Sequence, residues 1–282
     1  MKKAILIITA VILSTAIYAQ DMTNKKGIPI LPAEGEYALG IDPYPFFLYM
    51  GNLMNANEMN VGPTFESTVT QPDEHIVLWG KRVKDASTHY RAMLRLGFGS
   101  SKDNLVIQKD SADGSPFSTP QFGNDEVKYS YNNITLGVGL EKRRGSGRVQ
   151  GLYGAEVMIG FRGGKTTHTF ANAITADNPT PTTTAALQGG LYRIKEVKQG
   201  STFGLGLRAF IGVEYFFMAK ASIGGELGWG IAMTSTGEGE TTSEGWDGSA
   251  VKTLTVPGPG KASSFGIDTD NIGASIRALF YF

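Results

Sequence analysis

The chain is 282 residues long with 26 basic and 26 acidic side chains, so no net charge draws it to nucleic acid or another polyanion. It has no cysteine, which excludes a disulfide scaffold, thiolate metal sites, thiol catalysis and attachment through a lipidated N-terminal cysteine. Its 37 glycines are about twice the usual share, lack a collagen-like period and are interleaved with apolar residues, a combination suited to tightly curved sheets.

The first 19 residues open on Lys2 and Lys3, continue through an apolar stretch and end on Ala19 before Gln20. That is the layout of a secretory signal, with cleavage expected after Ala19. The alternative, a membrane anchor, has an apolar stretch that is short for a ~30 Å hydrocarbon core. The chain is therefore read as exported. No later stretch has the length and apolarity of a spanning helix, so entry into a membrane would have to be by strands.

Residues 20–35 are expected to form a short periplasmic N-terminal segment, and residues 36–282 a single β-domain. Segments 36–49 and 75–83 are read as the first two strands; the first contains Pro43 and Pro45, which a sheet tolerates at an edge, a bulge or a strand end. Six further segments alternate cleanly with period two. Tyr90, Ala92, Leu94, Leu96 and Phe98 oppose His89, Arg91, Met93, Arg95, Gly97 and Gly99. Ile134, Leu136, Val138 and Leu140 oppose Asn133, Thr135, Gly137, Gly139 and Glu141. Tyr153, Ala155, Val157, Ile159 and Phe161 oppose Leu152, Gly154, Glu156, Met158 and Gly160. Phe203, Leu205, Leu207, Ile211 and Val213 oppose Gly204, Gly206, Arg208, Phe210, Gly212 and Glu214. Ile223, Leu227, Trp229 and Ile231 oppose Ser222, Gly224, Glu226, Gly228 and Gly230. The last segment sets Ile272, Ala274, Ile276, Ala278, Phe280 and Phe282 against Gly273, Ser275, Arg277, Leu279 and Tyr281.

Between these eight strands, short connections at 84–87, 143–147 and 217–220 alternate with long polar segments at 51–74, 101–126, 163–192 and 235–263. Strict alternation of short turns and long loops with an even strand number predicts an all-β fold: an eight-stranded antiparallel up-and-down transmembrane β-barrel with four long extracellular loops. A soluble lipocalin-like barrel shares the period but has an apolar interior. Three features favour the membrane form: glycine crowds the mixed row, as a narrow interior requires; aromatics such as Tyr37, Tyr90, Tyr153, Tyr215 and Phe282 sit near the ends of the apolar row; and the signal implies export. With the apolar row toward lipid, the interior collects Asp42, Arg91, Arg95, Glu141, Glu156, Arg208, Glu214, Glu226 and Arg277. Charges in so narrow a space need partners, and arginine pairs with two carboxylate oxygens at once. The preferred expectation is a structural plug of salt bridges; a narrow polar channel is the alternative.

The closing strand with Phe280 and terminal Phe282 resembles the C-terminal signature by which Gram-negative barrel-assembly machinery recognises outer-membrane proteins. The strand plan is similar to the barrels of the OmpA, OmpX and OmpW type. Stretches such as Gly35-Glu-Tyr-Ala-Leu-Gly-Ile-Asp-Pro-Tyr-Pro-Phe47 and Leu140-Glu-Lys-Arg-Arg-Gly145 resemble, more narrowly, small outer-membrane barrel proteins of Bacteroidota. The resemblance implies an outer-membrane location with both termini periplasmic, lipid and the assembly machinery as partners, and an assembly role for Phe280 and Phe282. It implies a structural or surface-interaction role with a surface ligand or an envelope partner protein, or an OmpW-like conduit for small molecules. The cell-wall-binding domain of OmpA is not carried over.

Other features point to no enzyme, cofactor or metal site. Of the three histidines, His89 falls on the interior row, His168 is read as a solvated loop residue and His75 abuts the second strand; no two share a metal-ligand spacing. The basic run Lys142-Arg143-Arg144 with Arg148 is read as a periplasmic turn beside lipid headgroups rather than a nucleic-acid patch. Asp110-Ser111-Ala112 is similar to the tripeptide that Bacteroidota glycosylate at the serine, although a plain solvated loop is the favoured reading. Trp246 is a candidate exposed aromatic of the last loop.

Overall fold

A computed structural model describes residues 22–41, 77–110, 119–145, 147–184, 192–268 and 275–282. Every regular element among them is a strand, and all pair antiparallel in one sheet. In chain order they are β1 (Tyr37–Ile41), β2 (Val77–Asp85), β3 (Thr88–Gln108), β4 (Phe122–Arg144), β5 (Val149–Thr169), β6 (Tyr192–Lys198), β7 (Thr202–Met218), β8 (Ala221–Thr236), β9 (Glu240–Trp246), β10 (Val251–Pro257), β11 (Ala262–Asp268) and β12 (Ser275–Tyr281).

The expectation of eight strands thus gives way to twelve: β9 and β10 lie in a segment read as a loop, and β6 and β11 begin where two such segments end. β3 and β4 run on, paired from Thr88↔Lys142 to Gln108↔Phe122, through most of the segment expected to be irregular. β9 and β10 form a hairpin inside residues 235–263. Their sequences, Glu240-Thr-Thr-Ser-Glu-Gly-Trp246 and Val251-Lys-Thr-Leu-Thr-Val-Pro257, are rich in threonine, which is polar but β-branched and suited to a pleated surface. At about 3.3 Å per residue, the 21 residues of β3 reach about 70 Å.

Followed through consecutive ladders, β1 pairs with β2, β2 with β3, β3 with β4, β4 with β5, β5 with β7, β7 with β8, β8 with β12, and β12 with β1 again. β6, β9 and β10 leave this path, β6 pairing with β5 at Lys165–Thr167 beyond the end of the β5–β7 ladder. β11 extends the edge of β8 past the point where β12 stops.

The two rows separate as the alternation requires. On β12, Arg277 and Leu279 are 1 % exposed, whereas Phe280 is 56 % and Phe282 67 % exposed. The same holds on β7 and β8, where Leu207, Ile211, Val213, Leu227 and Trp229 are exposed while Arg208, Glu214 and Glu226 are buried. This reverses the usual order of a water-soluble fold, in which charged side chains are almost never fully buried.

Beside the charged row, Ala38, Trp79, Val83, Phe216, Leu279 and Tyr281 form a small apolar cluster. Ile30, from the segment preceding β1, completes it. That segment is tied down: the Ile30 amide donates to the Met22 carbonyl, and the Lys220 amide donates to the Ile30 carbonyl. Lys220 itself turns the chain between β7 and β8 at φ 61°, and its ammonium grips Glu36 at 2.6 Å.

Candidate functional site

The charged row converges from seven strands into two linked centres. The first surrounds Glu141 of β4 and Glu214 of β7. Lys81 Nζ donates to Glu141 Oε1 at 2.8 Å and to Glu214 Oε2 at 2.9 Å. Glu214 also accepts from Ser222 Oγ at 2.7 Å and Tyr281 Oη at 2.8 Å, and Arg143 Nη2 lies 2.7 Å from it. The second centre is built on Glu226 of β8. Arg91 grips it with both terminal nitrogens at 2.9 and 3.1 Å, Arg208 Nη1 donates at 2.7 Å, and Arg277 Nη2 donates to the same carboxylate. Glu156 of β5 closes the ring of contacts, 2.8 Å from Arg208 and 3.1 Å from Arg91 Nε. Arg91 Nη1, 3.7 Å from Glu141, joins the two centres.

Aromatic faces take up the guanidinium surface that carboxylates leave over. Arg91 lies 4.7 Å from the Trp79 ring and 3.9 Å from Phe210, and Arg277 lies 4.5 Å from the same Trp79 ring. Such cation–π contacts strengthen when water is excluded. Glycine makes the space: a methyl at Gly228 would collide with the Arg208 guanidinium, and one at Gly139 with Glu156.

Most of the charges predicted to share the interior are therefore brought together: Arg91, Glu141, Glu156, Arg208, Glu214, Glu226 and Arg277 all belong to the two centres. Arg95 lies on the same row of β3, half-buried, two row positions beyond Arg91. Asp42, His75 and Ser111 lie outside the described residues.

Lys81 and Arg143 were not expected here. Arg143, read as part of a basic turn, is buried against Glu214, and only Lys142 and Arg144 beside it face outward. Its place was marked by parity, since it follows Glu141 by two residues. Arg148 of that run donates to the carbonyls of Phe216 and Phe217. His89 is buried, its Nδ1 4.0 Å from Glu141 and its ring edge-on to Tyr281. His168, expected in a solvated loop, is instead the penultimate residue of β5 and stacks on Phe170. Trp246 ends β9 half-buried.

At the other end of the long strands, carboxylates serve loop architecture. Buried Asp125 of β4 accepts from the amides of Ala171 and Thr184 and the hydroxyls of Thr183 and Thr184. Burial works against its ionisation, but those donors outweigh it and hold the carboxyl below its usual range. Asp110 likewise titrates low because the donors Thr182 and Asn178 overcome its desolvation. In the β9–β10 turn, the amides of Ala250 and Ser249 hold Asp247 to about 2. Arg193 of β6 completes the scaffold by bonding Glu244 and the Asn172 carbonyl. A pocket of about 240 Å³ opens between β4 and β5, lined by Tyr129, Tyr131, Asn133, Arg162, Lys165 and Gln199.

No protein-family model matches the chain, and no curated protein matches it either. Among the described residues, no three His, Asp or Glu side chains are grouped so as to hold a metal ion. What the two centres do is electrostatic: five cations and four carboxylates from seven strands are paired out of contact with water, one positive charge in excess.

Proposed function

We propose that this chain is an integral outer-membrane protein whose strands β1–β5, β7, β8 and β12 form an eight-stranded transmembrane barrel, closed inside by the salt-bridge network, with a structural or surface-interaction role. The observation that carries this reading is the inversion of the two rows: carboxylates and guanidinia are buried while leucine, isoleucine, valine and aromatic side chains cover the exposed face. In water, that face would be a very large apolar surface; in lipid it is the expected coat. The return of the ladders to β1 supports it, because strands can lie in a bilayer only if no backbone edge is left unpaired. The long strands support it too: a tilted crossing takes about 9–11 residues, so β3, β4 and β5 have length to spare outside the bilayer.

The network sits where a conduit would have to pass, with Glu226 bound by three arginines from β3, β7 and β12. A sealed barrel is expected to give no steady conductance when the purified protein is added to a planar bilayer. Reproducible single-channel steps would overturn the sealed reading in favour of a narrow pore.

A further inference from the structure

Most glycines of the strands are explained by what stands over them, but Gly80 of β2 and Gly266 of β11 are not. A Cβ added at Gly80 would meet nothing within 4 Å. Gly80 lies on the outward row of β2, paired with Leu39 on one side and Ala92 on the other. The two small residues floor an apolar trough of about 400 Å³ whose walls include Leu39, Tyr37, Tyr90 and Phe282. One row position further along, Leu78 pairs with Leu94. Toward the short-turn end it opens between cations: Arg82 lies 5.7 Å from the Tyr37 ring and Lys84 5.9 Å from the Tyr90 ring.

Those cations are not spoken for. Arg82, Lys84 and Arg144 have no ion-pair partner among the described residues; Lys142 donates to Thr88 and lies in the field of the Asp85 carboxylate. All four lie on the outward row of β2 and β4, two strands separated by β3 alone, hence about 10 Å apart. The rest of the same rim differs. There the outward positions are Val149, Tyr153, Tyr215 and Phe217, Arg148 is bound to backbone carbonyls, and Lys220 is held by Glu36.

An apolar trough one strand spacing wide, left open by the fold and ending among unpaired cations and two amphipathic tyrosines, has the chemistry of a lipid tail joined to an anionic head. We infer that the outward face of β1–β4 binds an anionic phospholipid, with the upper part of one acyl chain over Gly80 and Ala92 and the phosphate among Arg82, Lys84 and Lys142. The inference rests on the membrane reading above, and it assigns the site to the leaflet that faces the short turns.

The test is native mass spectrometry of the full chain released from vesicles of dioleoyl-phosphatidylcholine and dioleoyl-phosphatidylglycerol in equal amounts. The wild type is expected to retain one phosphatidylglycerol in strong preference to phosphatidylcholine. Arg82→Gln with Lys84→Gln is expected to reduce that preference about tenfold or more. Gly80→Leu fills the trough from a position where an added Cβ meets no protein atom within 4 Å, so it is expected to expel the lipid without disturbing the fold. Equal retention of the two lipids by the wild type, or unchanged retention by both variants, overturns the site. Failure of the membrane reading is separate and visible beforehand, because the chain would not co-float with vesicles at all.

Discussion

The short-turn end and the long-strand end of this sheet treat charge in opposite ways. At the short-turn end the buried carboxylates are shared by cations from strands far apart in sequence: Glu226 binds Arg91, Arg208 and Arg277, and Glu214 binds Lys81 and Arg143. At the long-strand end carboxylates bind amides of a neighbouring loop, as Asp125 and Asp110 do, or pair across one ladder near solvent, as Lys102 does with Glu126 at 2.6 Å. A side chain that ties three strands together fixes the whole ring, whereas one that ties a loop to its own strand fixes only that loop. The base is therefore the mechanical unit of the molecule, with all its partners interdependent, and the outer ends are separable additions to it.

This contrast is broken most severely at Glu226. Glu226→Ala takes from buried Arg277 its ion-pair partner and from Arg91 and Arg208 one of theirs, and loss of one member of a buried ion cluster costs about 3–5 kcal/mol. The midpoint of urea unfolding in detergent micelles is expected to fall accordingly, with all probes moving together. Tyr281→Phe removes one donor from Glu214 and leaves the others, so the same midpoint should drop by about 1–2 kcal/mol. Asp125→Ala is expected to act locally: proteolytic cleavage within residues 170–184 should accelerate several-fold while the global midpoint stays within about 0.5 kcal/mol. If it shifts the global midpoint as far as Tyr281→Phe does, the two ends are not separable.

Lys102→Ala tests the weak limit, since exposed pairs contribute about 0–1 kcal/mol. The smallest effect concerns pH. Asp247 is lowered to about 2 by donors from Ala250 and Ser249, so its contribution to the β9–β10 turn is complete above the ordinary aspartate range near 4 and is lost as pH falls through about 2. A carboxyl-carbon NMR titration of Asp247 should have its midpoint near that value, and a midpoint near 4 would show the turn to be open.

The rows were legible because strand geometry converts parity directly into side. Arg277 and Phe280, three residues apart, fall on opposite faces by counting alone, and they do lie on opposite faces. The same logic failed for Lys81, where Trp79 points inward and Gly80 outward, so the hydropathy of that stretch runs against its neighbours. Arg143 was hidden by Lys142 and Arg144 on either side, three like charges that read as one solvated run although the middle one faces the other way. β6, β9 and β10 were illegible for another reason. Their threonines and charges match the composition of a loop, and their strand form comes from pairing: β9 with β10 in a hairpin, and β6 with β5 and β9 across longer sequence separations. Partner choice within the network could not be counted off either, because it depends on strand stagger, which places Arg91 against Glu226, 135 residues away.

The claim that the charged row is enclosed and the apolar row faces lipid can be measured directly on β7. The chain has no cysteine, so single substitutions at Leu205, Gly206, Leu207, Phe210, Ile211, Gly212 and Val213 each give one labelling position. Spin labels in vesicle-reconstituted protein should alternate: positions 205, 207, 211 and 213 accessible to lipid-soluble oxygen, and positions 206, 210 and 212 shielded from it. Loss of the alternation, or preferential quenching of the odd positions by a water-soluble nickel complex, would contradict the account.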